Sequence, residues 1–216
     1  MICTSVARLS AQDCIESIAS LDMAEIRLDS MHLSEDEVAE IFSSHQNLVA
    51  TCRPGEELSL PQRTRLLQVA IDSGAAWVDL ELDMTQSAMS HMVALAHAND
   101  CKVIVSYHDF YATAGREELL RIRAACLDAG ADIAKIACMV NDPIDSARLL
   151  GLLEMGPALV VGMGPLGVIT RLAAPLLGAP FTYASMARGE QTAPGQVDMA
   201  TLQKWILAIE KQARER

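Results

Sequence analysis

The lysine at position 135 lies in ADIAKIAC, residues 131–138, a run of mostly apolar side chains. Its neighbours Ile133 and Ile136 are typical of a buried strand in a parallel sheet. An ammonium group in such a strand loses its hydration, and burial disfavours its charged form. A lysine that gives up its proton is a nucleophile, and with a carbonyl compound it forms an imine. Lys135 therefore indicates covalent chemistry at an amino group.

A histidine, His108, ends the run KVIVSYHD, one predicted strand before the run that carries Lys135. Histidine titrates near neutral pH, so it can act both as a general base and as a general acid. The adjacent Asp109 points to the opposite face of a strand. We therefore expect the carboxylate partner of His108 to be a residue other than Asp109.

Polar side chains also occupy alternate positions in other apolar runs, so one face of each run is apolar and the other is polar. The lumen of a barrel, open at the C-terminal ends of its strands, explains such a polar face. Ion pairs that only tie the strands together are the alternative. The polar side chains are Glu25, Arg27, Asp29, Thr51, Arg53, Asp79, Glu81, Asp83, Ser106 and His108.

The elements that must position these residues form eight strand-like runs separated by helix-like segments. Several of these helices end before a glycine, as at Gly74 and Gly130. The alternation predicts a parallel sheet and an α/β fold, a (β/α)8 TIM barrel with residues 1–216 as a single catalytic domain. A doubly wound open sheet is the structural alternative. The runs are ICTSVA, AEIRLD, NLVATCR, WVDLELD, KVIVSYHD, DIAKIAC, ALVVGMG and PFTYAS.

Composition excludes several classes of protein. A net charge of −11 argues against binding to nucleic acid or an anionic membrane, although a small pocket can still be positive. The N-terminal sequence lacks a signal-peptide pattern, and the six cysteines lack metal-binding spacing. We therefore predict reduced core thiols in a cytoplasmic protein without a metal site.

The sequence GMGPLG, residues 162–167, matches the GxGxxG pattern of dinucleotide-binding loops. It occurs in the seventh unit, however, and the next strand ends without the acidic residue that would hold a ribose. A loop that faces a small anion is the better interpretation. Arg171, on the following helix, could add a positive charge to such a site.

Seven motifs in order give the chain a family resemblance: EIRLD, TCRPGEE, VDLELD, VSYHDF, ADIAKIACM, GVITRLA and TAPGQ. Together they resemble the type I 3-dehydroquinate dehydratases over nearly the whole chain. The resemblance implies a (β/α)8 barrel that converts 3-dehydroquinate to 3-dehydroshikimate in the shikimate pathway. It also implies a lysine Schiff base, a homodimer and no cofactor.

The resemblance also implies roles for particular residues. Lys135 would form the Schiff base, His108 would be the general acid and base, and Glu57 would orient the histidine. Glu56 is the alternative to Glu57, because the loop after the third strand is shorter than is usual in the family. Thr192 stands where the family often has a serine. The implied substrate-binding residues are Ser5, Glu25, Arg27, Arg53, Arg171, Thr192 and Gln196.

Two other functions remain open. A different Schiff-base barrel, such as an aldolase, would use the same lysine, and an inactive barrel could serve as a binding module. We also predict that residues 187–196 form a mobile lid over the barrel mouth. Exclusion of water would favour the imine chemistry, and Gln196 would reach the substrate carboxylate beside Arg171.

Overall fold

The structure is a computed structural model that describes residues 1–187, 189 and 191–214, with Arg214 described for its backbone alone. Within these residues eight β-strands alternate with eight α-helices. The strands are β1 Ile2–Val6, β2 Ala24–Arg27, β3 Leu48–Thr51, β4 Trp77–Glu81, β5 Lys102–Asp109, β6 Ile133–Met139, β7 Leu159–Met163 and β8 Thr182–Ser185. The helices are α1 Ala11–Ile18, α2 Glu35–Ser44, α3 Leu60–Asp72, α4 Gln86–Ala98, α5 Arg116–Asp128, α6 Pro143–Leu150, α7 Val168–Leu176 and α8 Met199–Arg214.

The strands form one sheet in the order β7-β6-β5-β4-β3-β2-β1-β8. The strand pairs β2–β3, β3–β4, β4–β5 and β6–β7 are parallel, and the end strands β7 and β8 also contact each other. A doubly wound sheet would reverse its strand order at a switch point. The sequential order observed here is that of a (β/α)8 barrel, so the predicted fold class is confirmed.

The chain folds as two compact units. The β2–β4 unit comprises Ser5–Tyr107 and Ala124–Ala134, and the β6–β8 unit comprises Met1–Thr4, His108–Arg123 and Lys135–Arg216. Each unit has its own part of the core. In the first, α2 buries Val38, Ile41 and Phe42; in the second, all five residues of β7 are buried.

Local sequence signals set the limits of the helices. Ser34 and Glu37 form a capping box at the start of α2, and Ser59 and Gln62 do the same for α3. Gly74 and Gly130 follow α3 and α5 with φ angles of +100° and +102°. Only glycine adopts such angles readily, so the predicted helix ends at these positions are confirmed.

The period-two pattern of the strands is confirmed where the strands are regular. Glu25, Thr51, Asp79, Ser106 and Lys135 are all buried. Three polar residues of the predicted strands lie beyond the strand ends instead. Asp29 is in a short 3-10 helix, Arg53 follows β3, and Asp83 is exposed after β4. The strands end before the positions predicted from the sequence, because the chain already turns into the connecting loops there.

The cysteines are core residues. All six are free and buried, as predicted. Burial raises the pKa of the Cys14 thiol to about 11 and that of the Cys126 thiol to about 12. Thiols with such pKa values hold almost no thiolate at neutral pH, so these two cysteines are poor nucleophiles.

Candidate active site

Glu25, on β2, is held at both carboxylate oxygens. Ser5 Oγ donates to Glu25 Oε2 at 2.7 Å, and Thr51 Oγ1 donates to Oε1 at 3.1 Å. Glu25 is only 4% exposed, so these hydrogen bonds compensate for part of the cost of burying its carboxylate. Two predicted substrate-binding residues, Ser5 and Glu25, therefore contact each other. Their contact with substrate stays a prediction.

Arg53 lies in a network of acidic and hydroxyl groups. Its guanidinium donates to Asp79 at 2.5 and 3.1 Å, to Ser106 Oγ at 2.8 Å, and to Glu81 through a short hydrogen bond. Ser106 in turn donates to Asp79 at 2.6 Å. Asp79 and Glu81 thus form ion pairs with Arg53, as the alternative interpretation of the polar face predicts; that they serve only to link strands stays a prediction.

The charges of this network determine the protonation of Arg53. Burial alone would lower the pKa of its guanidinium, but the negative charges of Asp79, Glu81 and Glu25 raise the pKa well above its usual value. The arginine is therefore a permanent cation whose charge is already balanced by two bonded carboxylates. A substrate that contacts Arg53 must therefore share its guanidinium with Asp79 and Glu81.

We expect Asp79→Asn to lower the free energy of unfolding by about 3 kcal/mol, because it leaves a buried guanidinium with less compensation. The Asp79 side chain is 0% exposed and that of Arg53 is 14% exposed. Urea denaturation at pH 7 measures the change. Glu35→Gln is the matched control, since its bridge to Arg65 is exposed and should contribute little. Equal losses in the two variants would contradict the buried network.

Asp29 binds a second predicted site residue, Arg27. The Arg27 guanidinium donates to Asp29 at 3.0 and 2.6 Å, and Asp29 Oδ1 also accepts from the backbone N–H of Arg53 at 3.1 Å. Burial would lower the pKa of Arg27, but the hydrogen bond to Asp29 and the charge of Glu25 raise it. From the sequence, Asp29 was predicted to lie on the polar face of its strand, and no role was assigned to it. The structure shows that Asp29 fixes Arg27 and the start of the loop after β3.

Glu57 and Glu56 are both exposed in the loop between β3 and α3. Exposure leaves both carboxylates accessible, so the structure does not choose between them. The assignment of Glu57 as the residue that orients His108 stays a prediction.

Lys135 is buried in β6 with 4% of its surface exposed. Its Nζ lies 4.1 Å from the centroid of the Tyr183 ring, which belongs to β8. This distance is within the range of a cation–π interaction. Tyr183 was in a predicted strand but was not singled out as a site residue. Tyr183 and Ser185 lie two residues apart and so share one face of the strand. This is the period-two pattern of polar side chains seen in the other strands, and it was the signal that could have identified Tyr183.

His108 lies near the end of β5, the strand next to β6 in the sheet. It is half-buried and stacks on Phe110, with ring centroids 6.0 Å apart. Asp109 has other hydrogen-bond partners: its Oδ1 accepts from the backbone N–H groups of Tyr111 and Ala112 at 2.8 and 3.0 Å. Asp109 thus holds the turn after β5. This geometry agrees with the expectation that Asp109 does not orient His108.

Arg171 is a core residue of α7, with 1% of its surface exposed. Its Nη1 donates to the main-chain oxygen of Tyr183 at 3.2 Å. The side chain therefore reaches from α7 to β8, where Lys135 also contacts Tyr183. The β6–β8 unit brings Lys135 and Arg171 to the same residue from different elements.

The glycines of GMGPLG serve close packing. A Cβ atom on Gly167 would lie 2.3 Å from the carbonyl carbon of Gly162, and one on Gly195 would lie 2.3 Å from the oxygen of Gly164. The backbone N–H of Gly164 also donates to Pro194 at 3.1 Å. The glycines thus let the loop fold onto β7 and let the APGQ segment pack on the loop. These contacts give the pattern a structural reason that requires no dinucleotide.

Gln196 is 7% exposed, and its Oε1 accepts from the N–H and the hydroxyl of Thr192 at 2.8 and 3.1 Å. The contact between Thr192 and Gln196 orients the Gln196 amide. The second half of the predicted lid is therefore docked in this structure. Two lid residues, Arg188 and Glu190, lie outside the described residues. The prediction that residues 187–196 become ordered with ligand stays a prediction.

The described part of the chain contains no cluster of three or more histidine, cysteine or acidic side chains that could hold a metal ion. No helix among the described residues is both long enough and apolar enough to span a membrane. The expectation that the reaction needs no metal stays a prediction.

The sheet order defines the chain as a (β/α)8 barrel, and buried charged side chains lie on its strands. A family model described as Type I 3-dehydroquinase matches residues 2–213, so the chain belongs to this family. The family resemblance predicted from seven short motifs is confirmed.

Individual relatives agree with the family. The 3-dehydroquinate dehydratase of Methanothermobacter thermautotrophicus is 36% identical over 218 residues, which cover 95% of each chain. That of Desulfotalea psychrophila is 32% identical over 215 residues, or 93% of this chain and 94% of its own. The type I enzyme of Clostridium difficile has a TM-score of 0.85 at 28% identity, covering 98% of this chain and 92% of its own. The predicted activity, a hydro-lyase that dehydrates 3-dehydroquinate in the shikimate pathway, is confirmed.

Proposed function

We propose that the chain dehydrates 3-dehydroquinate through an imine formed by Lys135. The observation that supports this proposal is the position of the Lys135 amino group, which lies in a buried strand against an aromatic ring. A neutral amine attacks a ketone and forms an imine. The Clostridium difficile relative contains covalently modified comenic acid. A covalently modified ligand in a relative supports a covalent step here.

The chemical steps balance without a cofactor. The Lys135 amine adds to the ketone, and loss of water leaves a protonated imine. His108 removes a proton from the neighbouring carbon, and the electron pair passes to the nitrogen as an enamine. These electrons then form the new double bond, while the β-hydroxyl leaves as water with the proton from His108. Hydrolysis of the imine releases the product and restores the amine.

The remaining residues bind the substrate in this proposal. Arg171 and Gln196 hold the substrate carboxylate, and Thr192 contributes by fixing the Gln196 amide. The family motifs support these roles, and the hydrogen bonds between Thr192 and Gln196 agree with them. Glu57 orients His108. The residues proposed for the substrate hydroxyls and ring are Ser5, Glu25, Arg27 and Arg53.

We further propose that the chain works as a single catalytic domain, as a homodimer and in the cytoplasm. The family match spans residues of both compact units, which supports one catalytic domain. The six buried free thiols suit a reducing compartment. Equilibrium sedimentation tests the dimer directly.

An assay of the purified chain tests the proposed chemistry. Addition of 3-dehydroquinate is expected to give the ultraviolet absorbance of a conjugated enone, and EDTA is expected to leave the rate unchanged. A lysine and a histidine carry the whole reaction in this proposal, so metal removal has no target. Loss of activity with EDTA that zinc restores would contradict the proposal. An aldolase would instead cleave a carbon–carbon bond and give no conjugated product.

A further inference from the structure

Tyr183 presents the face of its ring to the amino group of Lys135. Tyr183 is 4% exposed, and Lys135 Nζ lies 4.1 Å from the centroid of its ring. The face of an aromatic ring is negative, so it attracts a cation within about 6 Å, and more strongly when both are desolvated. Lys135 is also buried, so this contact is of the stronger, desolvated kind.

The same nitrogen carries positive charge in the proposed reaction, as a protonated imine after it joins the substrate. The protonated imine withdraws electrons when the neighbouring carbon loses its proton, and the neutral imine does so far less well. A group that stabilises positive charge at this nitrogen therefore keeps the imine in its reactive form.

We propose that Tyr183 is a further catalytic residue, whose ring face stabilises the protonated imine at Lys135. The proposal rests on the proposed Schiff-base chemistry and adds a role that the seven family motifs do not contain. It assigns the effect to the π face and gives the hydroxyl no part in it. The ring then stabilises the intermediate in which charge is required.

The structure holds the Tyr183 ring in place from two sides. Phe181 packs edge-on against it, with centroids 5.6 Å apart and planes at 70°. The main-chain oxygen of Tyr183 accepts from Arg171 at 3.2 Å. A side-chain substitution at Tyr183 keeps that oxygen, so the contact with Arg171 survives. The effect of the ring can therefore be separated from that of Arg171.

The experiment compares Tyr183→Phe, which keeps a ring, with Tyr183→Leu, which removes it. In the leucine variant kcat should fall by roughly 2- to 30-fold, the range that a cation–π contact supports. KM should change less than kcat, and Tyr183→Phe should stay near the wild-type rate. Borohydride reduces protonated imines faster than neutral ones, so it should label the leucine variant more slowly than the phenylalanine variant.

Phe42→Leu is the matched control. It removes a buried ring from α2, and Phe42 has no role in the proposed chemistry. This control should lose stability but keep kcat, whereas a merely structural role for Tyr183 would make the two leucine variants alike. If Tyr183→Leu does not fold, Tyr183→Met fills the space with a flexible apolar side chain and serves in its place.

Three outcomes are decisive. Wild-type kcat and labelling in Tyr183→Leu would overturn the role of the ring, and so would an equal loss in Tyr183→Phe. A slower leucine variant with phenylalanine near wild type would support it. Failure of the Schiff-base proposal is separately visible, because the wild-type protein would then show no borohydride label at Lys135.

Discussion

Lys135→Ala is expected to abolish turnover of 3-dehydroquinate, with a fall in kcat of roughly 10⁴- to 10⁶-fold, as for other nucleophile deletions. The substitution removes the only atom that can form the imine in the proposed mechanism. Without the imine, the carbanion-like charge formed on proton removal has no nitrogen to accept it. The fold should persist, because a small side chain replaces a lysine within an apolar strand.

Borohydride reduction in the presence of substrate gives the direct measurement. The mass of the reduced ligand should appear on a peptide that contains Lys135, and it should be absent from Lys135→Ala. Lys102 is a suitable control, since it also lies in a strand with its Nζ near an aromatic ring, 5.1 Å from the centroid of Trp77. Lys102 is exposed at the start of β5, whereas Lys135 is buried in β6, so Lys102 should remain unlabelled. A label at Lys102 or at any other lysine would refute the assignment.

His108→Ala is expected to lower kcat by about 10²- to 10⁴-fold, the usual contribution of a general acid or base. Imine formation should continue, because Lys135 keeps its surroundings in this variant. Borohydride should therefore still label Lys135 while the conjugated product accumulates very slowly. The combination of intact labelling and lost turnover places His108 at the proton-transfer steps.

His97→Ala controls for the loss of an imidazole. His97 is half-exposed and pairs with Asp132 at 3.1 Å on the surface of the β2–β4 unit. Its removal should leave kcat unchanged. If His108→Ala turns over at the wild-type rate, the general base is another residue. If it loses the label as well, His108 acts before or during imine formation.

The fold could be predicted from the sequence because its signals are local. Strand-like runs and helix-like segments alternate along the chain, and Gly74 and Gly130 mark helix ends through their own φ angles. Such patterns involve residues within one or two turns of each other. The eight strands and the sequential sheet order followed from these patterns. The C-terminal ends of β2, β3 and β4 did not follow from them, because tertiary contacts determine where each connecting loop begins.

The sequence by itself also determined which types of side chain are reactive. An amine in an apolar strand and a histidine at the end of the preceding strand are visible without coordinates. Only the tertiary structure decided their neighbours. Arg53 binds groups 26, 28 and 53 residues away, and no sequence period encodes such separations. The ring of Tyr183 meets Lys135 through the packing of β8 against the rest of its unit. Side chains distant in sequence meet only when strand register and helix packing are fixed together, so the partners of each charge are a property of the folded chain.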